Sequence, residues 1–73
     1  MDSMDTRRKQ IVDLVNQNGY VRFVQIRENF PQVSEMTLRT DLKVLDQEKK
    51  IVRIHGGAKS VELVIGTDDY LNR

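Results

Sequence analysis

The connection Pro31-Gln32-Val33 constrains this chain more than any other stretch, because it leaves only three residues between two segments with helical periodicity. Upstream, Ile26 and Phe30 stand four apart in a helix expected over residues 24 to 29 or 30, which Pro31 ends by disfavouring a helical backbone in the residue before it. Downstream, in "VSEMTLRTDLKVL", Leu38, Leu42 and Leu45 recur at the interval that lines one face of a helix, with Ser34 placed to cap its start. Two helices joined so tightly must brace each other across a bend, the arrangement of a helix-turn-helix unit.

The rest of the chain supplies what such a unit needs behind it. A first helix is expected over residues 6–18, with Ile11, Leu14 and Val15 as its apolar stripe and Asn18-Gly19 as its stop. The short "YVRF" alternates Val21 and Phe23 against Tyr20 and Arg22, as one edge strand would. After the second helix of the pair, "IVRI" and "KSVELVI" flank Gly56-Gly57, a pair suited to a two-residue hairpin turn that needs positive φ angles. With Gly56-Gly57 as the turn, His55 pairs with Ala58, Ile54 with Lys59, Arg53 with Ser60, Val52 with Val61 and Lys50 with Leu63. Val52, Ile54, Val61 and Leu63 then share an apolar face, and Ile51, Arg53, His55, Ala58, Ser60 and Glu62 share the other. The expected fold is mainly α with a small β-hairpin: a winged helix-turn-helix, three helices plus a wing.

Composition removes several function classes. With 73 residues the chain makes one small domain, which buries only about 60% of its unfolded surface and has little room for a large substrate pocket. There is no cysteine, which excludes disulfides, thiolate metal sites and cysteine nucleophiles. No apolar run is long enough to cross a membrane, and the N-terminus lacks the apolar middle of a secretory signal, so a cytoplasmic location is expected. Ser34 has no positioned base, the glycine pair is no phosphate-cradling loop, and the lone histidine, His55, has no partners at metal-ligand spacing. The expectation is therefore no enzyme, no metal and no cofactor. The formal net charge of +1 conceals a basic block, in which every charged residue from Lys49 to Lys59 is Lys or Arg, while Glu62, Asp68 and Asp69 are acidic.

The run "VSEMTLRTDLKVLDQEKKIVRIHGGA" resembles the N-terminal domain of DeoR-family transcriptional repressors, whose pattern is Val-Ser, two variable residues, Thr-Ile/Leu-Arg-Arg-Asp-Leu, then a wing ending in His-Gly-Gly-Ala. "RRKQIVDLVNQNGYV" is similar to the opening helix of that family. Two features depart from its pattern: Thr40 stands where a second arginine is usual, and "FPQVS" is one residue longer than the common Phe-Gly-Val-Ser turn. The resemblance implies a sequence-specific DNA-binding domain over residues 1–63 of a bacterial-type repressor, with residues 64–73 leading to an absent C-terminal effector-binding domain. It further implies a double-stranded DNA operator of a sugar or carbohydrate-metabolism operon, a homo-oligomer in the full-length protein, and a phosphorylated sugar as effector.

Groove geometry then nominates the contacts. B-DNA's major groove admits one helix, entered by the N-terminal part of the recognition helix, here residues 34–47. Half a turn from the leucine stripe lie Met36, Thr37, Arg39, Thr40 and Lys43, a face expected to carry no acid. Arg39 suits guanine O6 and N7, Thr37 and Thr40 offer hydroxyl and methyl groups, and Met36 offers apolar contact with a base. Ser34 is placed to cap its helix or meet a phosphate, and Lys43 is better placed for phosphate than for bases. In the wing, residues 51–63, Arg53, His55 and Lys59 suit phosphates or the minor groove, with Gly56 and Gly57 allowing close backbone approach. Arg7 and Arg8 are candidates for further backbone contacts. Asp41 flanks the leucine stripe, where a structural role is expected, paired with Arg22 or a backbone amide. Two other readings share the fold: a protein-interaction module without DNA binding, which would expose a contiguous apolar patch, and binding to structured RNA.

Overall fold

A computed structural model describes residues 3–61. It contains α1 (Met4–Asn18), β1 (Tyr20–Arg22), α2 (Phe23–Asn29), α3 (Glu35–Gln47), β2 (Ile51–Ile54) and β3 (Gly57–Ser60). The three strands form one antiparallel sheet in the order β1-β3-β2. This is the expected winged helix-turn-helix, with α2 and α3 as the bent pair and β2-β3 as the wing. The expected pairing of Lys50 with Leu63, and the proposed linker 64–73, lie outside the described residues.

Local chemistry accounts for most helix ends. Ser3 caps α1 by accepting from the Thr6 N–H, and Gly19 closes it at φ 78°, donating to Val15 O at 2.7 Å. Ser34 caps α3 by accepting from the Thr37 N–H at 3.1 Å. At the other end of α3, Lys50 N–H donates to Leu45 O and Lys49 N–H to Asp46 O, a Schellman closure that places Lys49 at φ 64°. A positive φ is unusual for a residue with a Cβ.

Two helix starts differ from expectation. α1 begins at Met4, two residues before the expected Thr6, because Ser3 supplies its cap. Phe23 is the first residue of α2, not the last of the strand. Arg22 is the N-cap, and its N–H donates to Gln25 Oε1 at 2.9 Å, so a side chain within the helix turns the backbone one residue early.

The wing register also differs. Ile51 faces Ser60, Val52 faces Lys59, Arg53 faces Ala58 and Ile54 faces Gly57, which makes His55-Gly56 the two turn residues. Gly56, at φ 82°, supplies the positive angle. Gly57 has another duty: it pairs with Arg22 of β1, and a Cβ there would lie 2.2 Å from Val21 O. The close approach of the third strand therefore draws Gly57 out of the turn and into the ladder. Partners move by two residues, so the sorting of side chains between faces is preserved, but the buried face is the other one. Ile51, Ala58 and Ser60 are buried, whereas Val52, Ile54 and Lys59 are only partly covered.

The core consists of Ile11 and Val15 of α1, Val21 of β1, Ile26 of α2, Leu38, Leu42 and Leu45 of α3, and Ile51 and Ala58 of the wing. Phe23, Phe30, Val33, Val12 and Leu14 pack around it. One charged side chain is buried with them. Asp41 is fully inaccessible and accepts from Arg7, whose Nε and Nη2 reach its two oxygens, and from Arg8 Nε at 2.8 Å. Its partner is thus not Arg22, and Arg7 and Arg8 are turned inward to hold α1 against α3. They serve the fold through this pairing, which the sequence did not single out for them.

Candidate nucleic-acid interface

Helix α3 carries its apolar residues on one side and a mostly polar row on the other. Ser34, Met36, Arg39, Thr40 and Lys43 are exposed and Thr37 is half-buried. Met36 is 77% exposed, well beyond what a core filler would show. The hydroxyls are already engaged: Ser34 Oγ donates to Thr37 Oγ1 at 2.9 Å while capping the helix, and Thr40 Oγ1 donates to Met36 O at 3.1 Å. Ser34 is therefore a cap first, though its exposed oxygen has room for another donor.

The expected absence of acid on this face does not hold. Glu35 accepts from Arg39 Nη2 at 2.6 Å, one turn apart along the helix. That hydrogen bond and the Arg39 charge hold the Glu35 carboxyl below the ordinary glutamate range, against slight desolvation and with help from Arg27. On its other side the Arg39 guanidinium lies over the Phe23 ring, 4.7 Å from its centroid. The i,i+4 spacing made the Glu35 pairing visible in the sequence. Nothing local announced Phe23, because its approach to Arg39 depends on how α2 crosses α3.

The wing completes the surface. Phe23, Arg39, Leu42, Arg53, Ile54, His55, Gly56 and Gly57 line a cleft of about 350 Å³ between α3 and the hairpin tip. Arg39, Arg53 and His55 are thereby brought to one place. Arg53 and His55 are exposed, and the Arg53 N–H donates to Asp46 Oδ1 at 3.2 Å, tying the wing back to α3. Ser34, Met36, Thr37, Thr40, Lys43 and Lys59 lie outside this cleft. Lys59 sits in the middle strand between Tyr20 and Val52, half-buried. Gly57 is buried beneath β1 and serves the sheet, whereas Gly56 is exposed at the tip.

What the arrangement can do is recognise polyanions and hydrogen-bonding edges. No group of three or more potential metal ligands occurs among the described residues, and no described helix is long and apolar enough to cross a membrane.

A helix with an exposed arginine on its outer face, flanked by a basic hairpin, agrees with what sequence comparison finds. Residues 7–64 match the model of the DeoR-like helix-turn-helix domain. The lactose phosphotransferase system repressor of Staphylococcus epidermidis is 44% identical over 54 residues, which are 74% of this chain and 21% of that protein. The glycerol-3-phosphate regulon repressor of Escherichia coli K12 is 44% identical over 52 residues, 71% of this chain and 20% of that one. The lactose phosphotransferase system repressor of Streptococcus mutans is 39% identical over 56 residues, 77% and 22% of the two chains. The chain spans about a fifth of the length of these curated relatives. No solved structure gives a significant match. With its fold, its exposed recognition-type helix and a family match that covers most of its length, the chain belongs to the DeoR-like helix-turn-helix family.

Proposed function

We propose that this domain binds double-stranded DNA sequence-specifically, as the operator-reading part of a transcriptional repressor of a carbohydrate operon. The observation that carries the reading is the exposed Arg39 on α3, set beside Arg53 and His55 of the wing in one cleft. In this reading α3 enters the major groove. Arg39 reads a guanine, Met36, Thr37 and Thr40 border the neighbouring bases, and Ser34 and Lys43 meet phosphates. Arg53, His55, Gly56 and Lys59 follow the adjoining backbone or minor groove. Family membership and the names of the relatives, two of them repressors of a lactose phosphotransferase system, support the carbohydrate assignment. The whole protein would act in the cytoplasm as a homo-oligomer on paired half-sites and release DNA when a phosphorylated sugar binds outside this domain.

The test is an amide NMR titration with a mixed-sequence duplex at low salt, followed by two substitutions. Shifts concentrated in residues 34–43 and 53–60, fading as salt rises, are expected. Arg39→Ala should abolish discrimination between duplexes, and Lys43→Ala should weaken all of them alike. Shifts confined to an apolar edge, or none, would favour a protein-docking module. Equal, sequence-independent losses from both substitutions would overturn the division of roles.

A further inference from the structure

Arg39 is gripped on two sides by groups that do not compete for the same part of it. A guanidinium offers its flat face to an aromatic ring and its edge, with five N–H donors, to acceptors. Phe23 covers the face at 4.7 Å, and Glu35 takes one edge donor at 2.6 Å. The remaining edge stays open, since Arg39 is still exposed.

Phe23 is itself fixed. Its N–H donates to Gly56 O at 2.8 Å, and its ring packs against the core. One residue at the start of α2 thus fastens the tip of the wing with its backbone and steadies the arginine of α3 with its ring.

We propose that Phe23 and Glu35 form a cradle that presets the Arg39 guanidinium for base reading, Phe23 as a positioning residue and Glu35 as a specificity-determining one. The inference rests on the DNA-binding reading and deepens it. A free arginine loses much rotamer freedom when it docks, and one already held loses less, so the gain falls on the sequence that matches its preset direction. Glu35 acts by exclusion as well. A carboxylate beside the base edges repels phosphate and tolerates only donor groups such as the cytosine amino group, which penalises mismatched sites. The charge of Arg27 on α2 also reaches Glu35, but the hydrogen bond to its carboxylate comes from Arg39.

The experiment selects preferred sites for this chain from a randomised duplex pool. It then measures the affinity ratio of the enriched to a scrambled duplex for the wild type, Phe23→Leu, Phe23→Tyr and Glu35→Gln, with thermal melts of each. Phe23→Leu keeps apolar volume but loses the π face, and should lower the ratio about two- to fivefold, the worth of an exposed cation–π contact. Phe23→Tyr should restore it. Glu35→Gln should tighten scrambled DNA and narrow the ratio by a similar factor. If Phe23→Leu does not fold, Glu35→Gln on the open surface decides alone. Ratios unchanged in Glu35→Gln and in any folded Phe23→Leu, with a wild type that enriches a motif, would overturn the cradle and leave DNA reading intact. A wild type that enriches no motif would overturn both.

Discussion

Helix α3 carries two arginine–carboxylate clusters whose chemistry is the same and whose surroundings are opposite. Glu35 and Arg39 retain 49% and 61% of their side-chain exposure, whereas Asp41 retains 1% and its partners Arg7 and Arg8 retain 21% and 17%. Water competes for the first pair and is shut out of the second. Removing a carboxylate from water is costly, and Asp41 is tolerable only because two guanidinia satisfy both its oxygens. The buried cluster therefore locks α1 onto the recognition-type helix. The exposed pair adds little to stability, and it leaves the solvated part of the Arg39 edge open to a new partner. Two arginines that resembled surface contacts in the sequence hold the scaffold, whereas Arg39, whose carboxylate partner is solvated, keeps part of its edge exposed.

The strongest way to break this distinction is to remove Asp41. Asp41→Ala removes the buried carboxylate that two partly buried guanidinia share and should cost about 3–5 kcal/mol, much of the stability of a domain this small. Urea unfolding should show a midpoint near zero denaturant. The pH dependence is specific. Burial pushes the Asp41 carboxyl up, but hydrogen bonds from Arg7 and Arg8 and their charges outweigh it, leaving it below the ordinary aspartate range. The folded value thus lies beneath the unfolded one of about 3.9, so the contribution is complete above that pH and drains away as pH falls through the folded value. The stability gap between the wild type and Asp41→Asn should be flat from pH 5 to 8 and shrink below pH 4. A gap that persists undiminished at pH 2 would mean that the ionised carboxylate is not what holds the helices.

What the sequence disclosed follows the range of the interactions involved. The leucine stripe, the Ser34 cap, the Gly19 stop and the tight bend are set within one or two helical turns, and each stands where periodicity and capping chemistry put it. The wing was legible as a hairpin but not in its register, because Gly57 answers to β1, more than thirty residues upstream. Asp41 was legible as structural, but its partners are 33 and 34 residues away, and no local spacing selects Arg7 and Arg8 over Arg22. For the candidate interface, exposure of Met36, Arg39, Thr40 and Lys43 followed from helical phase. The cleft that joins Arg39 to Arg53 and His55 required the crossing of three elements.

A smaller effect, of opposite sign, sharpens the comparison at the far end of the same helix. Lys49 sits at φ 64°, where a Cβ is strained, and glycine is the residue that this helix closure favours. Lys49→Gly should stabilise the domain by about 0.5–1 kcal/mol, the left-handed penalty less the entropy that glycine gains when unfolded. Chemical denaturation should show a raised midpoint with an unchanged slope. The substitution touches neither ion-pair cluster, so preference among DNA sequences should remain as in the wild type. Changed preference would mean that Lys49 is itself a contact.

The smallest expected effect is also the one on which the distinction turns. Glu35→Gln removes the carboxylate charge from an exposed i,i+4 pair and from the first turn of α3, where an acid suits the helix dipole. Both contributions are screened by solvent, so the melting temperature should fall by only about 2 °C in low salt. In about 1 M salt, where the Debye length is near 3 Å, even that difference should vanish. A fall of about 10 °C that survives high salt would place the Glu35–Arg39 pair in the same class as the buried cluster. Arg39 would then be a scaffold residue too, and the proposed base reading by the outward face of α3 would lose the arginine on which it rests.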